Sequence, residues 1–202
     1  MRPYIYVKRC ADAALSALAL VALSPVFAAV AAAVKLTSPG PVLFKQSRVG
    51  RGGRLFTIYK FRTMRVDTPH DTATHLLDDP RSYITPVGAF LRRSSLDELP
   101  QFFNVLKGDM AIVGPRPALY NQYDLIAARE EAGVNAVRPG ITGWAQINGR
   151  DELPIPVKVR YDREYVEKMS LRMDARCFFG SFLPVLRADG VREGRSGGKK
   201  SA

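Results

Sequence analysis

Arg92-Arg93-Ser94-Ser95-Leu96-Asp97-Glu98-Leu99-Pro100-Gln101, continued by Asn104-Val105-Leu106-Lys107-Gly108-Asp109-Met110 and Gly114-Pro115-Arg116-Pro117, is the stretch on which the chain turns. Leu96, Leu99, Phe102, Phe103 and Leu106 recur at helical spacing, which predicts a short amphipathic helix. A proline is tolerated only in a helix's first turn, so Pro100 sets the helix start close to Asp97. Asp97 and Glu98 then sit at its positive end. Such a pair is by itself an ordinary helix cap. Here Arg92 and Arg93 precede it and Arg116 follows in a rigid Pro-Arg-Pro turn. Two acids among arginines are what a divalent metal and a phosphorylated substrate require.

Upstream, residues 13–34 carry no charge. The run is long enough to cross a bilayer core of roughly 30 Å. It is long for the apolar part of a signal peptide, and Lys35-Leu36-Thr37-Ser38-Pro39-Gly40 is a poor cleavage site. Ser24-Pro25 interrupts it in the middle, and a proline there breaks or kinks the helix. Each arm spans only about 15 Å. Arg2, Lys8 and Arg9 flank the run on one side and Lys35, Lys45, Arg48 and Arg51 on the other. Basic flanks favour keeping both ends in the cytoplasm. A helix-break-helix that enters and leaves on one face suits this better than a straight span, although a kinked span fits the same residues.

Between the membrane run and the acidic pair, Val42–Gln46 and Leu55–Phe61 read as two strands joined by the Gly50-Arg51-Gly52-Gly53 turn. Residues 66–81, with His70 and His75 isolated from each other, read as a loop. Further on, residues 121–131 form a modest helix with Tyr123, Ile126 and Ala127 on one side. Residues 138–146 form a tight loop whose Trp144 is either a membrane-interface residue or a buried anchor. Residues 157–168 make a charged helix carrying Asp162. Residues 175–186 place Phe178, Phe179, Phe182, Leu183 and Leu186 at helical spacing, on a helix that packs on the core or lies in the membrane interface.

The 202 residues are 47% hydrophobic and 24% charged, with a net charge of +11 and a pI near 10.0. Such basicity suits nucleic acid, nucleotide phosphates or an anionic membrane. No nucleic-acid motif, P-loop or dinucleotide fingerprint accompanies it. Cys10 and Cys177 stand in no metal or redox spacing and suit a reducing compartment.

Taken together and in order, these motifs resemble the bacterial sugar transferases, the monotopic polyprenyl-phosphate phosphoglycosyl transferases. The resemblance rests on Ser24-Pro25, Lys60-Phe61-Arg62-Thr63-Met64, Ser95–Gln101, Gly108-Asp109-Met110, Gly114–Pro117 and Arg138–Gln146, and runs from about Lys8 to Asp189. It implies a helix-rich α+β fold. A re-entrant membrane helix broken at Ser24 and Pro25 would occupy residues 1–38, and a cytoplasmic catalytic domain with a small β-hairpin and interfacial helices residues 39–189. A basic flexible tail would follow at 190–202.

It further implies transfer of a sugar-1-phosphate from a UDP-sugar to undecaprenyl phosphate with release of UMP, at the bacterial inner membrane and among its lipids, in the initiating step of polysaccharide or glycan synthesis. Nucleic acid is not an implied partner. Asp97 would be the nucleophile, with Asp97 and Glu98 holding Mg²⁺. Arg92 and Arg116 would lie near the phosphates, together with Lys60, Arg62 and Arg138, while Asp162 and Asp174 would either orient arginines or touch the nucleotide. Rival functions are a membrane-tethered nucleic-acid-binding module and a metal-dependent membrane phosphatase.

Overall fold

The computed structural model describes residues 3–69, 79–149 and 153–181. The basic tail, His70, His75, Phe182, Leu183 and Leu186 lie outside the described residues. What is described is a helix-rich α+β arrangement with two small sheets.

Helix α1 (Tyr4–Ala22) and helix α2 (Ser24–Thr37) are bent by 63° about a break at Leu23. Pro25 falls in the first turn of α2, where its missing N–H costs nothing, and the Ser24 hydroxyl donates to the Val21 carbonyl at 2.8 Å. No single described helix is long and apolar enough to cross a membrane. Polarity on α1 is inverted relative to a helix packed in water. Lys8, Asp12 and Ser16 are buried, while Val7, Leu15, Leu18 and Val21 are exposed.

Strands β1 (Leu43–Val49) and β2 (Leu55–Phe61) pair antiparallel, from Leu43 opposite Phe61 to Val49 opposite Leu55. Their connection is a tight turn with Gly52 and Gly53 at positive φ of 65° and 75°. The short helix α3 (Pro80–Tyr83) lies in what the sequence reads as loop. Helix α4 (Pro86–Ser94) follows, with the Thr85 hydroxyl accepting from the Gly88 N–H at 2.9 Å and Pro86 in the first position. Helix α5 (Gln101–Lys107) lies beyond a corner. Strand β3 (Ala111–Val113) pairs parallel with β4 (Gly140–Thr142), the connection passing through helix α6 (Tyr123–Glu131).

The remaining helices are α7 (Trp144–Ile147), α8 (Ile155–Lys168) and α9 (Leu171–Gly180), the last capped by the Ser170 hydroxyl. Val105, Met110, Val113, Trp144, Tyr165 and Cys177 form the largest cluster. A second joins helix α2 to β2 and α4 through Val30, Val34, Phe61 and Leu91.

Two expectations change, and one open alternative is decided. Residues 138–146 include a strand and a short helix rather than only a loop; a three-residue strand that begins at Gly140 carries no readable period. Helix α6 buries Leu125 and Arg129 and leaves Tyr123 exposed, because Arg129 is drawn inward by an acidic partner on α8. Trp144 is buried and donates its indole N–H to Glu164 at 2.8 Å, which makes it an anchor.

Candidate active site

Helix α4 ends at Ser95, the one non-glycine residue with positive φ (57°) among the described residues. A short 3₁₀ turn, Leu96–Glu98, follows, closed by Glu98 N–H to the Ser95 carbonyl and Leu99 N–H to the Leu96 carbonyl. Pro100 then stands at the cap of α5. The acidic pair therefore occupies a corner between two helices, not the first turn of one. The left-handed residue turns the chain so that Asp97 faces inward and is 8% exposed.

Glu98 is the anchor of this corner. One of its oxygens, Oε1, accepts from Lys60 Nζ at 2.6 Å and from Arg116 Nη2 at 2.9 Å. Burial pushes its carboxyl up, but Arg116 and Lys60 outweigh this and hold it well below the usual carboxylate range. Asp97 goes the other way. Burial is the largest influence and raises its pKa from 3.8 to about 6, aided by the charge of Glu98 and opposed by Lys60, Arg92 and Arg116. No hydrogen bond to the Asp97 carboxylate forms among the described residues. Adjacent carboxylates thus have separate tasks, one fixed to cations and the other left available.

Several buried groups set this geometry. Asn104 is fully buried in α5; its Oδ1 accepts from Tyr59 N–H at 3.0 Å and its Nδ2 donates to the Thr57 carbonyl at 2.7 Å. It locks α5 to β2, and hence the corner to Lys60. Its only sequence sign is a polar residue within the apolar Phe102–Leu106 run. Asp162 is 1% exposed and accepts from Arg129 at 2.6 and 3.0 Å. Arg129 in turn donates to the Arg116 main-chain carbonyl at 2.8 Å. Asp162 accordingly orients an arginine that supports Arg116.

Lys60, Arg92, Asp97, Glu98 and Arg116 come together; the other residues expected near substrate are held elsewhere. Arg62 donates to the carbonyls of Pro41, Pro39 and Ser38 at 2.7, 2.7 and 3.0 Å, fixing the chain as it leaves α2. Arg138 donates to the Gly108 carbonyl at 2.8 Å. Asp174 accepts from Tyr4 and Lys8 and meets the Tyr165 hydroxyl, each at 2.7 Å, and so pins α1 to α8 and α9. No cluster of three or more acidic, histidine or cysteine ligands occurs among the described residues.

The family model for bacterial sugar transferases matches residues 3–188. The chain belongs to the bacterial sugar transferase family. A UDP-glucose:undecaprenyl-phosphate glucose-1-phosphate transferase of Xanthomonas campestris pv. campestris is 46% identical over 190 residues, covering 91% of this chain and 39% of the relative. A UDP-N-acetylgalactosamine-undecaprenyl-phosphate N-acetylgalactosaminephosphotransferase of Aeromonas hydrophila is 39% identical, over 94% of this chain and 46% of the relative. The sugar transferase EpsL of Bacillus subtilis, of uncharacterised activity, is 39% identical over 93% of this chain and 91% of its own length. The chain thus spans under half the length of the first two sugar transferases and nearly all of the third.

Proposed function

We propose that this sugar transferase moves a sugar-1-phosphate from a UDP-sugar to undecaprenyl phosphate, at the cytoplasmic face of the inner membrane, as the initiating step of polysaccharide or glycan synthesis. The observation that carries the reading is the corner itself, an unbonded buried carboxylate beside a partner that holds two cations. The names of the Xanthomonas and Aeromonas relatives support the substrate classes.

In the first step the Asp97 carboxylate oxygen attacks the sugar-bearing phosphorus of the donor. The bond to the bridging oxygen breaks, UMP leaves and an aspartyl phosphosugar forms. Lys60 and Arg116, held by Glu98, and Arg92 on the last turn of α4 offset the charge that accumulates on the phosphoryl oxygens. In the second step an oxygen of the lipid phosphate attacks the same phosphorus and frees the Asp97 carboxylate. A diphosphate-linked lipid sugar results, and atoms balance over the two steps.

The donor set fits a magnesium ion. Mg²⁺ is commonly held by one or two carboxylates, completing its shell with water and substrate phosphate. Asp97 and Glu98 would hold it here, and when bound it supplies charge neutralisation at the diphosphate.

The acceptor is a lipid, so the corner must lie near headgroup depth. The 63° bend between α1 and α2 supports a re-entrant anchor that would enter and leave on one face and hold the corner at that depth. Intact-protein mass spectrometry after rapid acid quench tests the mechanism. Donor alone should release about one UMP per active site in a burst and leave the sugar phosphate on Asp97 until lipid phosphate is added. Sustained hydrolysis of the donor to UMP and free sugar-1-phosphate, with no lipid requirement and no adduct, would instead establish a metal-dependent phosphohydrolase.

A further inference from the structure

A second basic site lies along α1, away from the catalytic corner. Lys8 and Arg9 from α1, Arg51 from the hairpin turn and Arg138 line a cavity of about 40 Å³, with Asp12 as its carboxylate. That is room for about three water-sized groups. Lys8 is already neutralised, its Nζ lying 2.7 Å from Asp174 and 3.2 Å from Asp12.

The three arginines are not. Arg9 donates to the Val105 and Leu106 carbonyls at 2.6 and 2.9 Å, Arg51 to Ala136 at 3.0 Å and Arg138 to Gly108 at 2.8 Å. None of them pairs with a carboxylate among the described residues. Capping the last carbonyls of α5 explains the bonds that Arg9 makes. It does not explain why Arg51, from another element, faces the same cavity. Burial first, and then the charges of Arg9 and Arg51, act against the charged form of Arg138, with Asp12 the weaker opposing influence. The three like charges are fixed in place by main-chain bonds before any ligand arrives, so an anion meets them without reorganisation. Arg cations fork onto phosphate oxygens with donors to spare.

We propose that this cavity binds a phosphate group, carried either by a lipid headgroup or by a soluble phosphate ester. It is separate from the reaction centre: the cations acting on Asp97 are Lys60, Arg92 and Arg116, none of which lines this cavity. The exposed Val7 and Leu15 on the same helix bring a lipid surface alongside it.

Isothermal titration of the purified full chain with dihexanoyl phosphatidic acid and with inorganic phosphate, at fixed ionic strength, tests the assignment. Saturable binding is expected, weakened roughly tenfold by Arg51→Gln, partly retained by Arg51→Lys and unchanged by Asp97→Asn. Arg51 is exposed on the turn, so unchanged melting of Arg51→Gln separates lost binding from lost folding. Tighter binding of the lipid than of phosphate identifies a headgroup site; equal binding identifies a soluble phosphate site. Absence of saturable binding, full affinity in Arg51→Gln, or loss of binding in Asp97→Asn would each overturn the proposal.

Discussion

At the scale of single residues, burying Asp97 as a carboxylate costs stability. Its pKa rises from 3.8 unfolded to about 6 folded, so the folded state holds the proton more tightly than the unfolded chain. The resulting penalty is absent below pH 3.8, grows through the interval and is complete above about 6. Asp97→Asn should therefore raise stability at pH 7.5 by on the order of 2 kcal/mol, a gain that fades by pH 4, as differential scanning calorimetry of both proteins would read. As the proposed nucleophile Asp97 must be ionised, so Asp97→Asn should lose turnover by several orders of magnitude. A stabilised variant that is inactive separates nucleophile from cap; a destabilised one with near-normal turnover returns Asp97 to a capping role. The pair and its nearest cations were legible in the sequence because Asp97, Glu98, Arg92 and Arg116 cluster in one stretch, with Lys60 closing a strand. Asp162, Asp174, Arg62 and Arg138 were harder to place. In the sequence, an arginine at the acidic corner and one tied to main-chain carbonyls elsewhere look alike.

At the scale of elements, the corner depends on how closely α4 approaches the chain leaving β2. A Cβ placed on Gly88 would stand 1.9 Å from the Thr63 carbonyl oxygen, a backbone atom that cannot swing aside. Gly88→Ala should force α4 outward, carrying Arg92 and the Ser95 turn with it. The expected outcome is loss of more than about 2 kcal/mol of stability and a larger loss of activity than of donor binding. Denaturant unfolding with paired kinetics reads both. Wild-type behaviour would mean that α4 does not sit against Thr63 in solution. The hairpin was legible because its alternation and glycine turn span whole strands, and α8 because its apolar positions recur over several turns. Helix α4 is not legible in the sequence although Thr85 and Pro86 stand at its start, because Pro86 and Gly88 suit a loop equally well. Strands β3 and β4 are three residues each, too short for a period to register. Their parallel pairing depends on glycine contacts: a Cβ on Gly140 would lie 2.1 Å from the Gly114 nitrogen.

At the scale of the whole molecule, apolar side chains point outward where polar ones point in. Val7, Leu15, Leu18 and Val21 of α1 are exposed, as are Phe103 and Leu106 of α5 and Phe178 and Phe179 of α9. Beneath them Lys8, Asp12, Ser16, Gln101, Asn104 and Asp174 are buried. These helices touch one another: Arg9 grips the end of α5, Phe27 of α2 meets the Phe103 ring at 6.0 Å, and Asp174 of α9 holds Lys8. In water this arrangement would leave much apolar area unburied, at roughly 25 cal/mol per Å²; against lipid it costs nothing. A straight span would carry the far end of the α1–α2 pair across the bilayer, but the same charged network ties the start of α1 to Asp174 on α9. Lys8, Tyr4 and Asp174 cannot stay bonded if residue 3 and the head lie on opposite faces. Cysteines placed at Pro3 and at exposed Tyr123, in a Cys10→Ser background, should therefore react with a membrane-impermeant maleimide from the same side of sealed vesicles. Replacing Ser24 and Pro25 by leucine restores a continuous apolar helix and should move part of the residue 3 population to the other side, with activity lost in proportion. Labelling of residue 3 only from the side opposite residue 123 in the parent protein would establish a spanning helix, and would separate the ion pairs of Lys8 and Asp174 from the folded state in the membrane.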